Sequence, residues 1–188
     1  IYDLKFSRDG SLLLAAGGMN GDRGAVVLWD VQTGRRLQTI KEDYDAVMAA
    51  DISADHRFVD LGGPARVVKV FDAANGKLLH RIKKHTDWVT SIAFAPQGDQ
   101  FASADRNGGI YVWEAKKAGI VYTLDEHKLR VTGLAWRADG KMLASVADDG
   151  KLVLWDMTDG WPSKVVDAHV TKTNDNRYTR TTGVLDLA

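Results

Sequence analysis

The sequence predicts an all-β protein built from four tandem copies of one unit, and three sets of residues point to it independently. Trp29-Asp30, Phe71-Asp72, Trp113-Glu114 and Trp155-Asp156 each close an apolar run, and their aromatic residues stand 42 positions apart every time. Gly10, His56, Gly98 and Gly140 each follow Phe6, Ile52, Phe94 and Trp136 by 4 residues. His85, His127 and His169 keep the same spacing of 42, with Asp43 at the equivalent place in the earlier copy. Within one copy, Val131, Gly133 and Ala135 alternate with Thr132, Leu134 and Trp136, which suits a short strand buried on both faces rather than an amphipathic helix. Four short strands in roughly 40 to 45 residues, closed by Trp-Asp, make a propeller blade. The expected architecture is a β-propeller segment of four four-stranded blades, at about 1–43, 44–85, 86–127 and 128–169, plus the first strand of a fifth.

Taken in order, residues 1–6 form the first strand of the first blade and residues 11–15 its second. GGMNGDRG, residues 17–24, holds four residues that the other copies lack. A glycine-rich phosphate cradle needs a helix N-terminus behind it, usually with Lys-Ser or Lys-Thr, whereas residues 25–29 read as strand, so an extended hairpin is expected. Thr33-Gly34 turns the chain into the outer strand, residues 36–40. The second blade begins near Val47 and departs most from the pattern: His56 replaces glycine, Phe71 replaces tryptophan, and Gly62-Gly63-Pro64 ends its second strand. Proline removes a donor there, so the edge between its second and third strands is expected to be irregular. In the third blade, residues 89–124, Pro96 suits the first inner corner of a type I turn and Arg106-Asn107-Gly108 makes the inner hairpin. In the fourth, residues 131–136, 142–146, 152–155 and 164–166 are the strands and Asp148-Asp149-Gly150 is the tight hairpin. A long loop, residues 170–183, then leads to VLDLA, residues 184–188, which repeats the pattern of residues 1–5 and places Asp186 against Asp3. The chain begins and ends inside a unit, so a processed or truncated chain is expected.

The Trp-Asp pairs, the histidine ahead of each first strand and turns such as residues 156–160 resemble the WD-repeat family over nearly the whole chain. Phrases such as DRNGGIYVWEA look like bacterial multidomain members, some with cytochrome-like domains. The resemblance implies that His127, Ser145, Asp149 and Trp155 form a structural hydrogen-bond tetrad, with His85, Ser103, Asn107 and Trp113 as its counterpart in the third blade. The second blade, with Asp43, Leu61, Ala65 and Phe71 at those places, lacks it. Serine, histidine and aspartate are also the ingredients of a hydrolytic triad, but catalytic residues have no reason to recur with the period, so none is assigned.

Metal and cofactor sites are not expected either. Histidines on different blades cannot share one ion's coordination sphere. Asn174-Asp175-Asn176 lacks a calcium ligand ladder with a closing glutamate, and Asp148-Asp149 before glycine is ordinary hairpin chemistry. With 25 basic and 25 acidic side chains the formal charge is zero, which implies no field for a nucleic acid backbone. The absence of cysteine removes thiol catalysis and disulfides and leaves the compartment open. No apolar run reaches the roughly 20 residues that cross a bilayer.

What remains is a surface. The family resemblance implies that partners bind the face made by the loops leading into each blade and by the inner hairpins. Trp88 and Arg130 stand there at equivalent places, with Tyr44 and Arg106 on neighbouring loops, and these residue types dominate interface hot spots. Packing of Trp88 on its own blade is the competing reading. Lys172, Arg177, Tyr178 and Arg180 form a basic, aromatic cluster that either meets an acidic partner or belongs to a disordered insertion. The expected function is a non-catalytic protein-protein interaction scaffold, with an accessory or regulatory domain of a larger bacterial enzyme or cytochrome-containing protein as the alternative. Four blades leave two open end faces. Further blades beyond Ala188 would cover them, and for these residues alone self-association into an eight-bladed ring would.

Overall fold

In the computed structural model, residues 1–19, 21–43, 45–168, 170–172 and 178–180 are described, with the backbone alone at 43, 170–172 and 178–180. None of the described residues is helical. Short apolar runs interrupted by glycine and aspartate turns give four four-stranded sheets. The first blade comprises β1 Asp3–Phe6, β2 Leu12–Met19, β3 Arg23–Asp30 and β4 Arg36–Asp43. The second comprises β5 Ala49–Ile52, β6 Phe58–Gly62, β7 Val68–Asp72 and β8 Leu78–Ile82. The third comprises β9 Val89–Phe94, β10 Gln100–Asp105, β11 Ile110–Glu114 and β12 Gly119–Leu124. The fourth comprises β13 Val131–Trp136, β14 Met142–Ala147, β15 Lys151–Asp156 and β16 Pro162–Asp167. Each sheet is antiparallel with its strands in chain order.

The blades stack face to face, which is why their middle strands are apolar on both sides. Leu14, Val26 and Leu28 of the first blade meet Ala50, Ile52 and Val59 of the second. Phe58, Val68 and Val70 meet Ile92, Phe94, Phe101 and Trp113 at the next boundary, and Ala93, Ala102 and Val112 meet Leu134, Trp136, Leu143 and Trp155 at the last. First strands are also tied directly to one another. Asp3 Oδ2 accepts the Ala50 N–H at 3.0 Å, Asp51 Oδ2 accepts that of Phe94 at 2.7 Å, and Trp136 Nε1 donates to the Ala93 carbonyl at 2.9 Å.

The sequence markers have local causes. The turn after each first strand needs a left-handed residue, and Gly10, Gly98 and Gly140 supply it at φ 72°, 74° and 71°. His56 holds the same conformation at φ 59° and reaches Asp9 of the first blade, Nε2 to Oδ1, at 3.2 Å. The aspartate of Trp-Asp caps the next turn: Asp30 Oδ1 accepts the Thr33 N–H at 2.7 Å and Asp156 Oδ1 that of Thr158 at 2.8 Å.

The four extra residues lengthen β2 and β3, whose ladder runs to Met19 opposite Arg23. In the second blade the ladder between β6 and β7 stops at Leu61 opposite Lys69, and Gly62-Gly63-Pro64 starts a wider connection, as its composition predicts. In the long connection after the fourth blade, β17 Val170–Lys172 pairs with β18 Tyr178–Arg180. VLDLA and His169 lie outside the described residues.

Candidate functional site

The fourth blade assembles His127, Ser145, Asp149 and Trp155 from four different segments. His127 Nδ1 lies 3.0 Å from Asp149 Oδ2, its Nε2 lies 2.8 Å from Ser145 Oγ, and Trp155 Nε1 donates to the same hydroxyl at 2.9 Å. Protons run one way along this chain. The indole can only donate and the carboxylate can only accept, so when the imidazole is neutral Ser145 gives its own proton to Nε2 while Nδ1–H faces Asp149. Asp149 also accepts the N–H groups of Lys128 at 3.2 Å and Lys151 at 3.0 Å.

The third blade builds the same centre with a different acid. His85 Nε2 lies 2.7 Å from Ser103 Oγ, which accepts from Trp113 Nε1 at 2.8 Å, but His85 Nδ1 meets Asp105 Oδ2 at 2.9 Å rather than Asn107. Asn107 instead donates its amide Nδ2 to Thr86 Oγ1 at 3.1 Å, which corrects the place that the spacing assigns to it. Asp105 stands two positions earlier, where the fourth blade has Ala147, yet it accepts the equivalent N–H groups, those of Thr86 at 3.3 Å and Gly109 at 3.0 Å. The exchange works because Gly109 replaces Lys151: a Cβ at Gly109 would lie 3.0 Å from Asp105 Oδ2. That glycine is the sequence signal for the switch. Burial pushes the Asp105 and Asp149 carboxyls up, but the hydrogen bonds and charge of their histidines, with the backbone N–H groups, outweigh it and hold both below the usual carboxylate range.

Ser103 and Ser145 are wholly buried and already accept an indole proton, so no substrate carbonyl can approach them. The ingredients of a hydrolytic triad are therefore spent on holding strands together. The second blade has a different device at its boundary with the first: Lys69 Nζ of β7 contacts both carboxylate oxygens of Glu42 of β4, and both side chains are buried. Period reasoning did not find this pair, nor Asp60 of β6. Asp60 is fully buried, and its two oxygens are the buried side-chain atoms without a hydrogen-bond partner among the described residues. Its counterparts in the period are Leu14, Ala102 and Ala144, so the misfit itself was legible.

On the loop face, Trp88 is half-buried and carries the Arg106 guanidinium 4.9 Å from its ring centre. Arg130 is exposed but engaged: its Nε and Nη2 donate to Asp148 Oδ2 and Oδ1 at 2.9 and 3.3 Å. Tyr44 and Arg177 lie outside the described residues, as do the side chains of Tyr178 and Arg180.

Four radially stacked, antiparallel four-stranded sheets with a buried histidine, serine, aspartate and tryptophan at two of their boundaries define a β-propeller array. Two family models match it: the WD domain, G-beta repeat, over residues 76–114, and the anaphase-promoting complex subunit 4 WD40 domain over residues 96–179. The chain belongs to the WD-repeat family. It is similar to an uncharacterized WD repeat-containing protein of Synechocystis sp., 30% identical over 53% of this chain and 27% of that protein. It is also similar to a DENN domain and WD repeat-containing protein of Arabidopsis thaliana, 29% identical over 37% of this chain and 6% of that protein. WD repeat and SOCS box-containing protein 1 of Homo sapiens is 27% identical over 54% of this chain and 24% of that protein. The chain thus spans about a quarter or less of the length of these relatives.

Proposed function

We propose that this chain is a non-catalytic scaffold that holds protein partners on its loop face. The observation that carries the reading is the division of labour among side chains: the histidines, serines and acids that could do chemistry are buried in the repeated networks, while Trp88, Arg106 and Arg130 stand on the loops without a part in them. A half-buried tryptophan beside arginines is the composition of an interface hot spot. Capture of one specific partner from a lysate is expected to be lost when Trp88→Ala and Arg130→Ala are combined, with the circular dichroism spectrum unchanged. Undiminished capture would move the binding surface to the opposite face. Hydrolysis of generic esters or peptides that Ser145→Ala abolishes would overturn the non-catalytic reading.

The same proposal includes self-association of the isolated chain. The open side of the first blade presents Leu4 and Phe6, and that of the fourth presents Leu152 and Leu154, the same pairing of faces that closes each internal boundary.

A further inference from the structure

We infer that the partner's contacting segment is acidic, and that Arg66 and Arg106, on either side of Trp88, receive its carboxylates. The inference rests on the loop face being the binding face, and it adds the chemistry of what binds there. Three backbone hydrogen bonds bring the residues together from three loops. Gly63 O accepts the Arg66 N–H at 3.2 Å and the Val89 N–H at 3.0 Å, which pins the inner hairpin of the second blade beside Trp88. Trp88 O accepts the Arg106 N–H at 3.1 Å, which pins the inner hairpin of the third blade on its other side.

Charge separates this spot from the rest of the face. Toward the fourth blade each cation on the loops has its own acid: Lys128 pairs with Asp125 at 2.9 Å, Arg130 with Asp148 at 2.9 Å and Lys151 with Glu126 at 2.8 Å. Around Trp88 the exposed cations are Arg66, Lys83, Lys84 and Arg106, and none forms an ion pair with a carboxylate among the described residues. Of the acids near them, Asp105 is enclosed by His85 and three backbone N–H groups, while Asp87 and Asp45 each accept the N–H of the next residue, at 2.7 and 3.0 Å, and form no ion pair among the described residues. Arg66 is held at φ 61°, a conformation that costs a side-chain-bearing residue energy, in a hairpin that would take glycine more readily.

Guanidinium groups bind carboxylates through paired, directional hydrogen bonds, and a tryptophan between them supplies apolar contact at low entropic cost. The fitting occupant is therefore an acidic peptide segment that carries apolar residues between its carboxylates. The probe is a fluorescein-labelled peptide of alternating glutamate and leucine, with alternating glutamine and leucine as its neutral counterpart, followed by fluorescence anisotropy on the full chain. The glutamate peptide is expected to bind and to weaken steeply with added salt. Arg66→Gln with Arg106→Gln is expected to weaken it by at least about tenfold, whereas Arg35→Gln with Arg36→Gln, exposed arginines where the outer strand of the first blade begins, leaves it within about twofold. Equal binding of the glutamate and glutamine peptides, or equal losses in the two double variants, would overturn the assignment. If peptide binding fails in that way while Trp88→Ala with Arg130→Ala still abolishes partner capture, the acidic chemistry is wrong and the scaffold reading stands. If capture also survives, the loop face is not the binding face, and the binding surface moves to the opposite face.

Discussion

Three aspartates differ in the sign of their energetic contribution. Asp149 and Asp105 complete networks whose other members would be left unpaired without them, so Asp149→Ala and Asp105→Ala are each expected to cost about 1 to 3 kcal/mol in chemical denaturation. Asn107→Ala, outside the network, should stay within about 0.5 kcal/mol. A cost below that for Asp149→Ala would remove the structural role of the tetrad. Because both folded carboxyls titrate below the unfolded value of about 3.9, their stabilisation is complete above that pH and is lost as pH falls through the lowered folded values. Asp60 runs the other way. Burial, then the charge of Asp51 opposite it, raises its carboxyl well above the usual range. Between the unfolded value of about 3.9 and that raised one, the folded chain holds a proton that the unfolded chain has released, so stability falls as pH rises. Asp60→Ala, which installs the residue found at the same place in the third and fourth blades, is expected to raise stability at neutral pH by at least about 1 kcal/mol and to flatten this slope. A loss of stability, measured by urea denaturation between pH 5 and 8, would show that Asp60 has a partner.

At the level of the strand and its neighbours, each blade boundary has its own connector in one register. Glu42, Lys84 and Glu126 are 42 residues apart and each reaches the third strand of the following blade: Glu42 to Lys69, Lys84 over the Tyr111 ring at 5.6 Å, Glu126 to Lys151 at 2.8 Å. Only the first of these is buried, and it stands at the blade boundary that lacks a tetrad. Lys69→Ala would strand a buried carboxylate and is expected to cost about 3 to 5 kcal/mol, whereas Lys69→Met combined with Glu42→Leu should be near neutral or stabilising. Similar losses in the single and double variants would mean that packing, not charge pairing, is what the lysine contributes. The period shows that these three positions are equivalent, and that Lys69 and Tyr111 stand 42 residues apart as well, but not that the side chains meet, because contact depends on how one blade packs on the next.

Among the described residues of the four blades, the leading face of the first is the uncovered one. Phe6 is 62% exposed, while its counterparts Phe94 and Trp136 are 7% and 9% exposed beneath a preceding blade. At about 25 cal/mol per Å², a few hundred Å² of such surface is a driving force of several kcal/mol. The purified 188-residue chain is therefore expected to self-associate through its first and fourth blades, and Phe6→Glu to shift it toward monomer. Light scattering that shows a folded monomer at all concentrations would exclude closure by a second copy.

The repeat, the strand order within each blade and the site of the four-residue insertion were all legible in the residues, because alternation, turn chemistry and period are local properties that survive without knowledge of contacts. The histidine, serine and tryptophan of the tetrads came from the resemblance to the WD-repeat family, carried onto positions that the period marks. Which acid serves the third blade was not legible. Asp105 displaces Asn107 because a missing Cβ at Gly109 opens space beside it. Likewise, Arg130 and Arg106 are equivalent kinds of residue in the sequence, yet one is neutralised by Asp148 and the other lies over Trp88. Those outcomes depend on distances of a few ångströms between atoms far apart along the chain, which the packing of one blade on the next sets.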